Sequence, residues 1–219
     1  MTGMSGSERQ AALEKILIPA RIIPVLTIAR VEDGVPLARA LVAGGVKTLE
    51  ITFRTDAAAD AARAIIAEVP EAVVGIGTVL SADDLRRAQI IGARFAVSPG
   101  ATPELLDAAA ASGLPLLPGV ATASELMQAR ARGFDLLKFF PAEQSGGIPM
   151  LRALAGPFPS TRFCPTGGVS AANAATWLAE PNVIAVGGSW LCPASDVKAG
   201  NWEVITGRCI DAMKSLRRR

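Results

Sequence analysis

One lysine stands in an unusual place in the sequence, inside a short apolar stretch typical of a β-strand. Lys138 lies in LLKFFP, between Leu137 and Phe139. In a strand, successive side chains point to opposite faces, so Leu137 and Phe139 would pack against helices while Lys138 points into the interior. Burial disfavours the charged ammonium form, and the neutral amine is a nucleophile for carbonyl carbon. The alternative interpretation is an edge strand with a solvated or ion-paired lysine.

A second segment, TLEITFR, alternates polar and apolar residues. Its polar face carries Thr48, Glu50, Thr52 and Arg54. If both faces of the sheet are covered, this polar face cannot look into solvent and is expected to line a site. Glu50 could then transfer protons, and Arg54 could bind a substrate carboxylate through two hydrogen bonds. A structural ion pair between Glu50 and an arginine or lysine is the alternative.

Two glycine pairs follow predicted strands late in the chain. They stand in PTGGVS (165–170) and VGGSWL (186–191), and the next serines are Ser170 and Ser189. In β/α barrels, the last two such turns commonly bind phosphate through backbone N–H groups and a helix N-terminus. Glycine lets the backbone approach a phosphate closely, although a tight strand exit would need it too. The glycines concerned are Gly167, Gly168, Gly187 and Gly188.

These residues together predict imine-forming carbon–carbon bond chemistry on a phosphorylated keto acid, because an amine nucleophile acts on carbonyl carbon. The sequence contains no histidine, which excludes Ser-His-Asp catalysis, Cys-His catalysis and histidine-ligated zinc. We predict no metal site and no cofactor. The cysteines are odd in number and widely spaced, so reduced thiols of a cytoplasmic protein are expected. They are Cys164, Cys192 and Cys209.

The composition of the chain indicates which classes of binding partner to expect. The chain has 219 residues, of which 50% are hydrophobic, and its 22 basic and 20 acidic residues leave a net charge of +2. A charge so close to zero gives no electrostatic signal for nucleic acid. No apolar run reaches the ~18 residues that a membrane span needs, and the first residues lack the layout of a signal peptide. We therefore expect a small-molecule substrate, with no nucleic acid and no membrane as partner.

Eight short apolar segments are predicted as strands, and each precedes an Ala- and Leu-rich segment with helical spacing. The predicted strands are 22–28, 48–53, 72–77, 95–98, 114–119, 135–140, 162–167 and 183–188. This alternation predicts parallel strands covered by helices. A (β/α)8 TIM barrel in a single domain, residues 1–219, is the first choice. An open doubly wound sheet is the alternative, disfavoured because no G-x-G-x-x-G follows the first strand.

Both ends of the chain are predicted to add helices. Residues 1–20 are expected to contain an extra N-terminal helix, and Ser7 and Gln10 have the spacing of a capping box. Residues 200–219 are expected to form a C-terminal helix on the outside of the barrel, followed by a short basic tail.

The segments that carry these residues strongly resemble one bacterial family. GVKTLEITFRT, GIGTVLS, AVSPG, LLKFFPAEQSGG, PTGGVS and GGSWL are similar to motifs of the 2-keto-3-deoxy-6-phosphogluconate (KDPG) aldolases, also called the bifunctional 4-hydroxy-2-oxoglutarate (KHG) aldolase family. The resemblance runs from about residue 15 to residue 193. It implies a (β/α)8 barrel, a homotrimer and metal-independent cleavage of KDPG to pyruvate and glyceraldehyde 3-phosphate in the Entner–Doudoroff pathway. KHG would give pyruvate and glyoxylate.

The resemblance also implies roles for individual residues. Lys138 would form the Schiff base, and Glu50 would be the general acid/base. Arg54 and Thr78 would hold the substrate carboxylate. The pyruvate pocket would be lined by Pro99, Phe140 and Thr166, and the phosphate would be bound by Gly167, Gly168, Gly188 and Ser189.

Three alternatives to this function stay open on the sequence. The first is an aldolase of the same family that prefers the galactonate epimer of the substrate. The second is a phosphosugar isomerase or epimerase on the same barrel, disfavoured because such an enzyme needs no lysine inside an apolar strand. The third is a non-enzymatic phosphate-binding module, which leaves Glu50, Arg54 and Lys138 without a purpose.

Overall fold

The computed structural model describes residues 4–217, in which strands and helices alternate. The strands are β1 (Ile22–Leu26), β2 (Thr48–Thr52), β3 (Val73–Gly77), β4 (Phe95–Val97), β5 (Leu116–Leu117), β6 (Gly119–Val120), β7 (Leu136–Phe139), β8 (Arg162–Pro165) and β9 (Val186–Gly188). The helices are α1 (Gly6–Ala20), α2 (Val31–Ala43), α3 (Ala58–Glu68), α4 (Ala82–Ile91), α5 (Pro103–Ala111), α6 (Ala123–Arg130), α7 (Gly147–Ala155), α8 (Ala174–Trp177), α9 (Ala194–Ala199) and α10 (Trp202–Arg217).

Every predicted strand segment contains a strand, and the pairs between named strands are all parallel. The predicted α/β fold with parallel strands is therefore confirmed. In place of one strand, the fifth segment contains the short strand β5 and the first residue of a second short strand, β6. Pro118 stands between them, and proline has no N–H to donate to a continuous ladder.

The strands form two sheets, and a single eight-stranded ladder is not shown. Six strands pair in the order β5-β4-β3-β2-β1-β9, and three pair in the order β6-β7-β8. Only two isolated parallel bridges, Phe163 with Val183 and Thr166 with Gly187, connect the β8 segment to the β9 segment in the described part of the chain. Pro165 lies between the two bridged residues of the β8 segment, and its missing N–H interrupts pairing there.

The faces of the strands pack against two different cores. Leu49 and Ile51 of β2 point outward and join the larger core under the helices. A smaller core fills the interior near the strand starts, where Phe95 and Leu136 lie beside Leu13 and Leu17 of α1. Because α1 supplies these leucines, it covers the N-terminal ends of the strands, and the polar interior residues are left towards the C-terminal ends.

The expected N-terminal helix is present, but its predicted cap is wrong. The capping box is formed by Ser5 and Glu8 rather than by Ser7 and Gln10. The Ser5 N–H donates to Glu8 Oε2 over 2.7 Å, and the Glu8 N–H donates to Ser5 Oγ over 3.3 Å. The helix therefore begins at Gly6, since the same three-residue spacing occurs two positions earlier.

The expected C-terminal helix is α10, which α9 precedes. The last two residues of the predicted basic tail, Arg218 and Arg219, lie outside the described residues, as do Met1, Thr2 and Gly3. Within residues 4–217, none of the helices combines the length and the hydrophobicity that crossing a membrane would require.

Candidate active site

Lys138 and Glu50 meet inside the fold. Lys138 lies on β7 and Glu50 on β2, and the lysine Nζ is 3.2 Å from Glu50 Oε1. Only 6% of the lysine side chain and 4% of the glutamate side chain are exposed. Lys138 is therefore buried rather than solvated at a sheet edge, and its partner is a carboxylate able to accept or return a proton.

Gly77 on the neighbouring strand makes room for this pair. Glu50 is in register with Gly75 of β3, and a Cβ atom at Gly77 would overlap the Glu50 carboxylate. The packing role of this GIG stretch was not predicted from the sequence. Glycines inside a predicted strand are the signal that could have revealed it, since they mark places where other groups approach closely.

A buried thiol lies next to the lysine without competing with it. Cys164 of β8 is in register with Lys138 and is 2% exposed. Burial raises the pKa of the Cys164 thiol to about 12. The thiol is therefore protonated at neutral pH and is a poor nucleophile, because the thiolate is the reactive form.

Arg54 lies at the C-terminal end of β2, in the turn that follows the strand. Its Nε donates to Thr52 Oγ1 over 3.0 Å, and that hydroxyl donates to the carbonyl of Leu26 over 2.8 Å. These two hydrogen bonds orient the Arg54 guanidinium through its Nε alone. Among the described residues Arg54 forms no ion pair, so its terminal nitrogens are available to an anionic ligand.

Thr78 directly follows β3 at the same edge and has an unusual backbone conformation. Its φ is +58°, in the left-handed region that β-branched residues rarely adopt. Such strained positions persist where the surrounding structure fixes them, and they cluster at functional sites. The N–H of the next residue, Val79, donates to the carbonyl of Val97 and ties this loop to the β4 strand.

Three further predicted residues lie around Lys138. The Phe140 ring is half-buried, and its centre lies 5.1 Å from Lys138 Nζ, within the range of a cation–π contact. Thr166 is buried and bridges to Gly187, where a Cβ would collide with the threonine side chain. Pro99 is half-buried and follows β4. Its carbonyl packs against Gly119, where a Cβ would collide with it, and Gly119 is the residue of β6 that is in register with Lys138.

The turn at Gly167 and Gly168 has both residues in the left-handed region, with φ of +98° and +78°. Their carbonyls accept hydrogen bonds from the Glu143 N–H and from Asn173 Nδ2, each over 3.1 Å. Within residues 4–217 the N–H of Gly168 has no protein acceptor, whereas that of Gly167 faces the bridge to Gly187. The Gly168 N–H is therefore free to bind an anion.

The glycines of the predicted phosphate turn pack against the loop after β7, and the helix that follows starts later than expected. A Cβ at Gly168 would overlap the side chain of Glu143, and one at Gly167 would approach Pro141. The missing Cβ atoms therefore make room for the loop after β7. The helix expected to start at Ser170 begins at Ala174 and has four residues, too short to give a helix N-terminus its usual effect on an anion.

A cavity of about 240 Å³ opens beside Arg54 and Ser189. Ser189 is exposed after β9, so the cavity joins the end of β2 to the end of β9. Gly188 is buried, and a Cβ there would overlap the Trp190 ring. The fold thus brings an amine–carboxylate pair, a free guanidinium and unpaired backbone N–H groups to the C-terminal ends of its strands.

The sequence matches the family described as KDPG and KHG aldolase over residues 13–208. The KHG/KDPG aldolase of Escherichia coli (strain K12) is 48% identical over 208 residues, which span 95% of this chain and 98% of that protein. The 2-dehydro-3-deoxy-phosphogluconate aldolase of Dickeya dadantii is 47% identical, over 93% and 96% of the two chains.

A solved structure is similar in fold as well as in sequence. It is the KDPG aldolase from Legionella pneumophila, with pyruvate captured as a covalent carbinolamine intermediate. The TM-score is 0.89 and the identity 45%, with 91% of this chain and 97% of that chain covered. With a family match over most of its length and relatives of this identity, the chain belongs to the KDPG and KHG aldolase family.

Proposed function

We propose that this protein is a Schiff-base aldolase that cleaves KDPG to pyruvate and glyceraldehyde 3-phosphate, and also KHG to pyruvate and glyoxylate. The observation that carries the proposal is the buried Lys138 amine 3.2 Å from the Glu50 carboxylate. A buried amine that can pass its proton to an adjacent carboxylate is suited to attack a ketone. The family membership of the chain supports the same reaction class.

The first half of the reaction activates the substrate. The neutral Lys138 Nζ attacks the C2 ketone and forms a carbinolamine, which loses water to give a protonated imine. Glu50, which is within hydrogen-bond distance of Nζ, carries the protons that these steps release and consume. The imine nitrogen then bears the positive charge that draws electrons from the C3–C4 bond.

The second half breaks the bond and releases the products. Glu50 removes the C4 hydroxyl proton, the C3–C4 bond breaks, and its electrons form an enamine while the aldehyde leaves. Glu50 returns a proton to C3, and water hydrolyses the resulting pyruvate imine to free pyruvate and the lysine amine. A positioned acid/base typically contributes about 10²–10⁴-fold to the rate.

The remaining predicted residues bind the two ends of the substrate. Arg54 and Thr78 hold the carboxylate, supported by the free terminal nitrogens of the Arg54 guanidinium. The pyruvate pocket is formed by Pro99, Phe140 and Thr166. The phosphate is bound by Gly167, Gly168, Gly188 and Ser189, supported by the unpaired N–H group of Gly168.

We also propose that the two sheets close into one (β/α)8 barrel in a single domain. The bridge from Thr166 to Gly187 and the continuous chain through Pro118 support closure. The resemblance to the family supports a homotrimer and a place in the Entner–Doudoroff pathway. Three free, buried cysteines fit a reducing cytoplasm.

The test is to incubate the protein separately with KDPG, with its galactonate epimer and with KHG, and to measure pyruvate with a coupled dehydrogenase. We expect the highest kcat/KM with KDPG and slower release of pyruvate from KHG. Preference for the galactonate epimer would reassign the substrate within the family. No pyruvate from any of the three acids would contradict the proposed function.

A further inference from the structure

Glu143 makes an unusual set of contacts for an exposed side chain. It lies in the loop after β7, five residues beyond Lys138. Its Oε1 accepts hydrogen bonds from Trp177 Nε1 over 3.0 Å and from Asn173 Nδ2 over 3.1 Å. Trp177 is fully buried, and this carboxylate satisfies its ring N–H. The exposed Glu143 is thus connected by a hydrogen bond to a side chain of the core.

Glu143 also contacts the turn at Gly167 and Gly168 directly and through Asn173. Its own N–H donates to the carbonyl of Gly167. Asn173 Nδ2, which it orients, also donates to the carbonyl of Gly168, and Asn173 Oδ1 accepts from the Ser170 N–H over 2.8 Å. The side chain of Glu143 fills the space where a Cβ of Gly168 would lie.

These contacts determine where the amides of the turn point. In a trans peptide the C=O and the following N–H point in opposite directions. Holding the carbonyls of Gly167 and Gly168 on the Glu143 side therefore aims the N–H groups of Gly168 and Val169 away from Glu143. Neither N–H has an acceptor within the described residues, so both are presented to a ligand.

The same loop is attached to the strand that bears the nucleophile. The Thr166 N–H donates to the carbonyl of Phe139 over 2.9 Å, and the Ala142 N–H donates to the carbonyl of Thr166 over 2.8 Å. With the bond from Glu143 to Gly167, these contacts join the loop after β7 to the turn after β8. This short series of hydrogen bonds therefore sets the position of the turn relative to Lys138. Glu143 makes the last bond of the series.

We infer that Glu143 is a positioning residue: it holds the turn at Gly167 and Gly168, and hence the phosphate of the substrate, at a fixed distance from Lys138. The inference rests on the proposed aldolase function. It assigns Glu143 to the use of phosphorylated substrates, with no contact to the reacting carbons. Binding energy from a remote phosphate then serves to place C2 against the lysine.

The test compares Glu143→Leu and Glu143→Gln with KDPG and with KHG, which carries no phosphate. Leucine removes the acceptor, whereas glutamine keeps an oxygen for Trp177 and Asn173. We expect Glu143→Leu to lower kcat/KM for KDPG by on the order of 10–100-fold, through a lower kcat as well as a higher KM, because a misplaced phosphate no longer places C2 against Lys138. Its kcat/KM for KHG should change by less than about threefold, within the effect of a change remote from the reacting groups. Glu143→Gln should stay near the wild type with both acids.

Glu71→Leu is the control, because Glu71 is exposed and forms no ion pair within the described residues. It should leave both activities unchanged. Asn173→Ala is the second variant; it removes the link from Glu143 to Gly168 and decides the question if Glu143→Leu fails to fold. We expect it to reduce KDPG cleavage selectively, and inorganic phosphate to inhibit its KHG cleavage less than that of the wild type.

Equal loss with both acids in the folded variants, or no loss with either, would overturn the inference. It would mean that Glu143 serves the fold alone or does not affect the turn. These outcomes require an active wild-type protein. A wild type that releases no pyruvate from either acid would instead contradict the proposed function, so the two failures are distinguishable.

Discussion

Lys138 and Glu50 are 88 positions apart in the sequence, yet their side chains form a buried hydrogen-bonded ion pair of 3.2 Å. Removing one member of a buried pair leaves the other charge without compensation, which typically destabilises a protein by about 3–5 kcal/mol. Informative variants of this site therefore have to preserve the hydrogen bond while they change the chemistry.

Lys138 should be labelled covalently when pyruvate and borohydride are added together, because hydride reduces the imine to a stable secondary amine. Peptide mapping by mass spectrometry should place one adduct on Lys138. Lys47→Arg, which changes an exposed lysine, should label as the wild type does, and Lys138→Arg should not label. An adduct on Lys47 or Lys198, or none at all, would be incompatible with the proposed nucleophile.

Glu50→Gln should separate imine formation from proton transfer. Glutamine keeps the size and a hydrogen bond to Lys138 but has no basicity. We expect KDPG cleavage to fall by at least about 10²-fold, and the exchange of pyruvate methyl protons with deuterated water, followed by NMR, to slow similarly. Borohydride trapping of pyruvate should weaken less.

The matched control for this variant is Glu71→Gln, at an exposed position, which should leave both rates unchanged. Methyl-proton exchange at the wild-type rate in Glu50→Gln would show that another group is the base.

Gly77→Ala should impair catalysis although Gly77 bears no functional group. The new methyl would overlap the Glu50 carboxylate and push it from Lys138. We expect kcat/KM to fall on the order of 10-fold or more. Gly207→Ala is the control: a Cβ there has no neighbour within 4 Å, and helical alanine should stabilise the protein by about 0.5–1 kcal/mol. Full activity in Gly77→Ala would contradict this role for the glycine.

Chelators should leave cleavage of KDPG intact. The sequence has no histidine, and residues 4–217 contain no group of three or more Cys, Asp or Glu side chains placed to hold a metal ion. Activity after EDTA treatment and dialysis should equal that of the untreated protein. Activity lost in EDTA and restored by zinc or another divalent ion would count against the imine mechanism.

The thiols should be unreactive in the folded protein. Burial raises the pKa of Cys164 and Cys192 to about 12 and that of Cys209 to about 11. Because only the thiolate reacts, a raised pKa keeps the thiols protonated and inert at pH 8. Ellman's reagent should report almost no thiol until guanidinium is added, and then all three. Rapid labelling of one cysteine in the native state would contradict its burial.

The sequence predicted the strands and the interior placement of Lys138 well, because alternation within a strand is a local pattern. It failed where a role depends on a contact distant in the chain. The bond between Glu143 and Trp177 joins side chains 34 positions apart, and nothing periodic marks it. The left-handed backbone of Thr78 likewise has no signal in its residue type. The prediction of Ser7 as the helix cap was wrong because the same spacing also occurs at Ser5.

Leu13 and Leu17 of α1, packed against the interior core, close the fold at the N-terminal ends of the strands and leave Lys138 to be approached from the C-terminal ends. Substrate and products must then share one entrance at the C-terminal ends of the strands. In the proposed reaction, the phosphorylated fragment would lie nearer that entrance, and the three-carbon fragment would be bound to Lys138 behind it. We therefore expect sequential release, aldehyde first and pyruvate second, and, in the synthetic direction, binding of pyruvate before the aldehyde.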